Sequence, residues 1–304
     1  MKKFAIKSLL FALYFVMFFV IINAIYLGLL VNTDEGFKKR LQSIRFDNPD
    51  FELLVFGTSF AEYGIDTELL TSKGIKSFNL ALGGNSLQTS YIQLEEYISN
   101  YSHKPKYVLL VFNSYREAPD KENVSEIEPL VETTMKDYKY GLKDAPVLRY
   151  TWLGTEMIKK VLSRKHREAR LSFGQVKFEK CTPDHSEYKN IYLNTQAITA
   201  SVWISKMAEF CKQEGIDLML IEIPGFKETQ NLSEVGPYEL QFSNGSTARL
   251  YNFNSREFCK TFESDKDWIG NSHLNESGAQ KFTSELFNAI KGSESALNQT
   301  PGID

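Results

Sequence analysis

Ser59 closes the tripeptide Gly57-Thr58-Ser59 directly after the apolar run Phe51-Glu-Leu-Leu-Val-Phe56. A serine on a tight glycine turn at a strand end can lift its hydroxyl clear of a sheet. A hydroxyl alone is a weak nucleophile: it needs a base to take its proton and donors to hold the oxyanion that its attack on a carbonyl creates. Both kinds of group stand at comparable places. Asn79-Leu-Ala-Leu-Gly-Gly84-Asn-Ser86 ends in a glycine pair whose N–H groups can face an oxyanion, and Asn113 follows the run 106–112 with a side-chain amide that can donate another hydrogen bond. Near the C-terminus, Asn271-Ser-His-Leu-Asn-Glu-Ser-Gly278 sets His273 just before the last helical pattern, where an imidazole can accept the serine proton and return it to a leaving group. Taken singly, Ser59 also reads as a helix cap and Asn113 as a strand-end residue satisfying backbone. Their order along the chain favours the chemical reading.

These residues do chemistry only if the surrounding elements bring them together. Residues 51–56, 106–112 and 216–223 are nearly continuous apolar runs, as expected of parallel strands buried on both faces. Residues 76–82 make a fourth strand and 250–253 a weaker fifth. Residues 86–99, 195–214 and 276–291 carry apolar positions at threes and fours, which predicts helices. Alternating strand and helix predicts an α/β fold with a doubly wound, mostly parallel sheet sandwiched by helices. Such sheets bind ligands beyond the carboxyl ends of their strands, where Ser59, Gly84 and Asn113 fall. Residues 118–190 break the rhythm. They are charged, rich in Lys and Tyr, and read as a partly helical insertion whose basic run, with Lys159, Lys160 and Arg164, fits a solvated helix face or, as the alternative, a contact for anionic headgroups or an acidic polysaccharide.

A net charge of -3 over 304 residues lacks the basic footprint of a nucleic-acid binder. Cys181, Cys211 and Cys259 are widely spaced with no C-x-x-C pair, which argues against a zinc site and allows at most one disulfide. Residues 9–31 are almost wholly apolar, with Asn23 the clearest polar break, and about 23 residues at 1.5 Å each span a hydrocarbon core of roughly 30 Å. The stretch therefore predicts a transmembrane anchor in the lipid bilayer. Lys2, Lys3 and Lys7 precede it and favour a cytoplasmic N-terminus with the remaining chain outside; Lys38, Lys39 and Arg40 oppose that bias. The alternative, a cleaved signal peptide, would have a long apolar region and no A-x-A-like site. The expected organisation is a tail and anchor at 1–31, a linker at 32–50, one domain at 51–292 with its insertion at 118–190, and a flexible tail at 293–304.

In combination, the blocks resemble the SGNH (GDSL-like) hydrolases, particularly the membrane-anchored branch associated with acylation of cell-envelope polymers. Gly57-Thr58-Ser59, continued by Ala-Glu-Tyr-Gly-Ile-Asp66, is similar to the nucleophile block. Residues 79–86 are similar to the second block, with Ala81 where a glycine is common and Gly84 at the oxyanion position. Asn113 matches the third-block asparagine, with Val111 and Ser114 replacing the usual glycine and acid, and His273-Leu-Asn with Gly278 matches the final block. The resemblance implies an SGNH/flavodoxin-like fold and a serine esterase or O-acyltransferase acting on acyl groups, acetyl foremost, of an extracytoplasmic polysaccharide. Ser59 would be the nucleophile, His273 the general base and acid, and Ser59, Gly84 and Asn113 the oxyanion hole. Neither metal nor organic cofactor is needed. The implied partners are an acylated envelope or surface polysaccharide and a membrane acyltransferase.

One position departs from that pattern. Three residues before the histidine, where the family carries the aspartate of a D-x-x-H motif, this chain has Gly270. Asp267 lies six residues before His273 and reaches the ring only if the loop bulges; Asn271 can orient the ring but supplies no charge. Three readings follow: a Ser59–His273 dyad, a triad completed by Asp267, or an impaired module that binds glycan or partners a membrane acyltransferase.

Overall fold

The computed structural model describes residues 2–47, 49–114, 127–151, 153–154, 158, 169–179, 189–230, 235–270 and 272–297. The chain forms two compact units, one of residues 1–45 with 129–167 and the other of residues 46–128 with 168–304.

In the larger unit the apolar runs become strands β1 (Leu53–Gly57), β2 (Ser77–Asn79), β3 (Tyr107–Phe112), β7 (Asp217–Glu222) and β10 (Thr247–Asn252). Two short antiparallel strands of the insertion, β4 (Ala169–Ser172) and β5 (Gln175–Phe178), pair as a hairpin, and β6 (Lys189–Ile191) lies parallel to β8 (Glu228–Gln230). The main sheet runs β2-β1-β3-β7-β10 in parallel and ends in the antiparallel edge strand β9 (Tyr238–Gln241), which the sequence pattern did not disclose.

Alternate residues of each strand feed two cores. Leu53, Val55, Leu109, Val111 and Ile221 face one side and pack with Phe60, Leu70, Phe282 and Leu286. Leu54, Phe56, Leu110 and Leu220 face the other and pack with Leu94, Ile204 and Met207. The first layer is built from helices α3 (Ser59–Gly64), α4 (Thr67–Ser72) and the long C-terminal helix Glu276–Leu297; the second from α5 (Leu87–Asn100) and the helix Val202–Glu214. Burial on both faces is what permits these continuous apolar strands. The helix expected over 195–214 is broken into Thr195–Ala200 and Val202–Glu214, because Ser201 adopts extended backbone and caps the second piece through Ile204 N–H.

The smaller unit is helical. Helix α1 spans Lys2–Thr33 and is long and apolar enough to cross a membrane. Residues 35–43, expected within a linker, form helix α2 (Glu35–Ser43), capped by Asp34. Helix α6 (Glu128–Thr134), a 3-10 turn at Leu142–Asp144 and helix α7 (Pro146–Arg149) come from the insertion.

Candidate active site

The parallel strands, counted among themselves, have the order 2-1-3-4-5, and the sheet reverses direction of winding between β1 and β3. The crevice at the carboxyl ends of those two strands is the expected ligand position of such a sheet. Ser59 lies there. Gly57 pairs with Val111 in β3 and has φ +137°; a Cβ on it would fall 2.2 Å from the Val111 carbonyl oxygen. Close strand approach therefore demands glycine. Thr58 then turns the chain, its hydroxyl accepting from Phe60 N–H, and Ser59 becomes the first residue of α3.

His273 reaches the same point from 214 residues away, with its Nε2 2.8 Å from Ser59 Oγ. It sits in the two-residue strand β12 (His273–Leu274), antiparallel to β11 (Trp268–Ile269). The loop is stapled from below. Asn275 donates through Nδ2 to Lys266 O at 2.6 Å and accepts from Gly278 N–H at 3.0 Å. Gly278 leaves room for that closure, since a Cβ there would lie 2.2 Å from Asp267 O. The imidazole packs face-tilted on Phe60 at 4.9 Å and edge-on with Tyr63 at 5.1 Å.

The other ring nitrogen, Nδ1, lies 2.7 Å from Ser272 Oγ. Asp267, weighed above as the ring's partner, is engaged elsewhere. Fully buried, its carboxylate accepts from Lys281 Nζ at 2.6 Å, Glu263 N–H at 2.7 Å and Ser277 Oγ at 2.7 Å. Burial works to raise this carboxyl, but the hydrogen bonds from Lys281, Glu263 and Ser277 outweigh it and leave the pKa below the ordinary carboxylate value. Its role in the structure is to hold the histidine loop onto the C-terminal helix. Gly270, at φ +61°, forms the left-handed turn between β11 and β12, a conformation that favours glycine. Asn271 lies outside the described residues.

The glycine pair approaches from β2. Asn79 donates through Nδ2 to Ala61 O at 2.8 Å and accepts from Ala81 N–H at 3.0 Å, tying the exit of β2 to α3. Gly83 N–H donates to the buried Glu62 carboxylate at 3.0 Å, and a Cβ on Gly83 would stand 3.8 Å from Ser59 Cβ. Glu62 thus pins the turn that carries Gly84, whose φ of +74° requires glycine. Asn113 is fully buried just past the end of β3. The next residue, Ser114, donates its N–H to both oxygens of Glu222.

Structure therefore gathers Ser59, His273 and the Gly83–Gly84 turn at one point, sets Asn113 at the end of the adjoining strand, and assigns Asp267 to the loop's support. Three residues escaped the sequence reading. Ser272 had no signal beyond adjacency to His273. Glu62 sits one helical turn after Ser59, a spacing that could have raised it. Tyr63 is buttressed by the insertion: Phe178 stacks edge-on at 5.1 Å and Gln175 Nε2 donates to Tyr63 O at 2.9 Å. Lys177 locks that hairpin to α4, its buried ammonium bonded to Asp66 at 3.0 Å and Glu68 at 2.9 Å. Burial works to lower the Lys177 pKa, and the bonds it donates to Glu68 and Asp66 outweigh it, so the pKa stands above the ordinary lysine value. Cys211 and Cys259 are free buried thiols, each pushed up to about 12 by burial, while Cys181 lies outside the described residues.

No protein-family model matches this chain, and no curated protein matches it. Solved structures with a similar course of chain include a GDSL-like lipase from Bacteroides thetaiotaomicron, at 10% identity and a TM-score of 0.36 over 85% of this chain and 98% of that one. Others are a protein from Streptococcus pneumonia provisionally assigned as a platelet activating factor (12% identity, TM-score 0.33, 89% of this chain and 98% of that one) and a provisionally assigned acylhydrolase from Bacteroides fragilis (13%, 0.26, 82% and 94%). At these scores the likenesses weigh nothing beside the side-chain geometry.

Proposed function

We propose that this chain is a membrane-anchored serine esterase or O-acyltransferase acting on acyl groups, acetyl foremost, of an extracytoplasmic polysaccharide. One observation carries the chemistry: Ser59 Oγ stands 2.8 Å from His273 Nε2 while Ser272 Oγ stands 2.7 Å from Nδ1. With the ring proton on Nδ1 and donated to Ser272, the Nε2 lone pair is left to receive the Ser59 proton. Ser59 attacks the ester carbonyl, and the Ser59 and Gly84 amides with the Asn113 side chain hold the oxyanion. The imidazolium returns its proton to the departing alcohol, leaving an acyl-serine. Water or a sugar hydroxyl then attacks that ester, again giving its proton to Nε2, and Ser59 is released.

A neutral partner at Nδ1 orients the ring without balancing its charge. Hydrogen bonds to charged groups contribute about 1.5–3 kcal/mol against about 0.5–1.5 kcal/mol for neutral ones. Replacing a carboxylate by a hydroxyl thus costs about 1–2 kcal/mol, roughly five- to thirtyfold in rate. That slows the reaction without abolishing it. The polysaccharide and the outward orientation rest on the block resemblance and on Lys2, Lys3 and Lys7 before the apolar helix.

The test is turnover of p-nitrophenyl acetate by the full-length protein in detergent, beside Ser59→Ala and His273→Ala. Loss of at least a hundredfold in both variants is expected; equal activity in all three overturns the mechanism. The second reading, a glycan-binding module without chemistry, draws on Gly270, which stands where the D-x-x-H motif has its aspartate. Covalent labelling of Ser59 by a fluorophosphonate excludes it.

A further inference from the structure

Up to Ile22 the side chains of α1 are exposed or half-buried, as expected of a helix that meets lipid. Residues 4–22 rise about 28 Å, close to a hydrocarbon thickness of roughly 30 Å. Beyond that point one stripe of the helix turns inward, with Asn23 and Leu30 buried and Tyr26 half-buried at spacings of three and four. The stripe is covered by the insertion. Asn23 Oδ1, the polar break of the apolar span, accepts from Val147 N–H at 3.0 Å, and Tyr26 donates its hydroxyl to Tyr150 O at 2.8 Å. Gly154 makes space for that tyrosine, because a Cβ there would lie 2.6 Å from its hydroxyl. Arg40 completes the dock, donating Nε–H to Thr134 at 2.8 Å, and Phe37 packs edge-on against Tyr150 at 5.3 Å.

This dock sets residues 140–150 level with the end of the apolar span, and the face they leave uncovered is not that of a soluble surface. Tyr140 is 71% exposed, Leu142 76% and Leu148 49%; the exposed Lys143 stands among them, and Lys136, Asp137 and Lys139, also exposed, come just before. Apolar side chains interleaved with lysines suit the boundary between acyl chains and anionic headgroups, and tyrosines favour that layer. We infer that residues 136–150 form a collar around the exit of α1 that lies in the headgroup layer of the bilayer, with Leu142 and Leu148 inserted at the acyl boundary. The collar rests on the anchor reading, and it makes α1 part of the fold, since removing the helix would strip Val147 and Tyr150 of their partners.

Nitroxides at Leu13→Cys, Leu142→Cys, Leu148→Cys and Lys260→Cys, placed one at a time in full-length protein whose native cysteines are replaced by alanine, test this in phosphatidylcholine–phosphatidylglycerol vesicles. All four positions are exposed, so labelling leaves the packing intact. The expected result is collision with oxygen exceeding collision with a water-soluble nickel chelate at 13, 142 and 148, and the reverse at 260. Nickel-favoured collision at 142 and 148 with oxygen-favoured collision at 13 overturns the collar and leaves the anchor standing. Shielding of 142 and 148 from both reagents also overturns it, because protein would then cover the face. Nickel-favoured collision at 13 overturns the anchor itself.

Discussion

At the scale of the residue, the site turns on what the imidazole does with its second nitrogen. Ser272 fulfils the steric part of a carboxylate's task and none of the electrostatic part. Ser272→Ala is therefore expected to lower kcat roughly two- to tenfold, the worth of one neutral hydrogen bond, with KM unchanged. Ser272→Thr keeps the hydroxyl and should restore most of that loss, which a merely packing role for Ser272 would not produce. Steady-state kinetics on p-nitrophenyl acetate reads both. Glu62 acts one step further back, through Gly83. Its replacement by Gln preserves an acceptor for the Gly83 N–H, so Glu62→Gln should retain more activity than Glu62→Ala.

Elements fix those side chains through a few buried polar staples. Asp267 holds the histidine loop to the C-terminal helix through Lys281 and Ser277. Its folded pKa is depressed, so its contribution to stability is complete above the ordinary carboxylate pKa of about 3.9 and is lost as pH falls through the folded value. Thermal melting of Asp267→Asn should accordingly show less loss of stability below about pH 4 than the parent protein does. The hairpin β4–β5 is held in the same manner. Truncating Lys177 to Met leaves the Asp66 carboxylate buried without its ammonium, and breaking such a pair costs about 3–5 kcal/mol, readable as a lowered denaturant midpoint.

On the scale of the whole molecule, α1 is integral to the smaller unit through Asn23, Tyr26 and Leu30. The collar proposed above requires that this helix be kept. The intact mass of the protein extracted from membranes should include residues 1–33; a mass beginning after residue 33 would show a cleaved signal peptide instead.

Much of this was legible along the chain. The apolar runs marked four parallel strands and a weaker fifth, because burial on both faces leaves a local imprint in each run. Ser59, Gly84 and Asn113 were legible as strand-end residues for the same reason, and His273 by its place before the last helix. What only the tertiary structure decided were pairings that close over long loops. Ser59 and His273 are 214 residues apart, and Asn23 and Val147 are 124 apart. Spacing in the chain does not determine how such a loop closes, so Asp267 could be weighed for the imidazole although its carboxylate is bonded to Lys281. Likewise Asn23, a flaw in an apolar span when read alone, becomes the point at which the insertion grips the helix, because a buried amide must find a partner and Val147 supplies it.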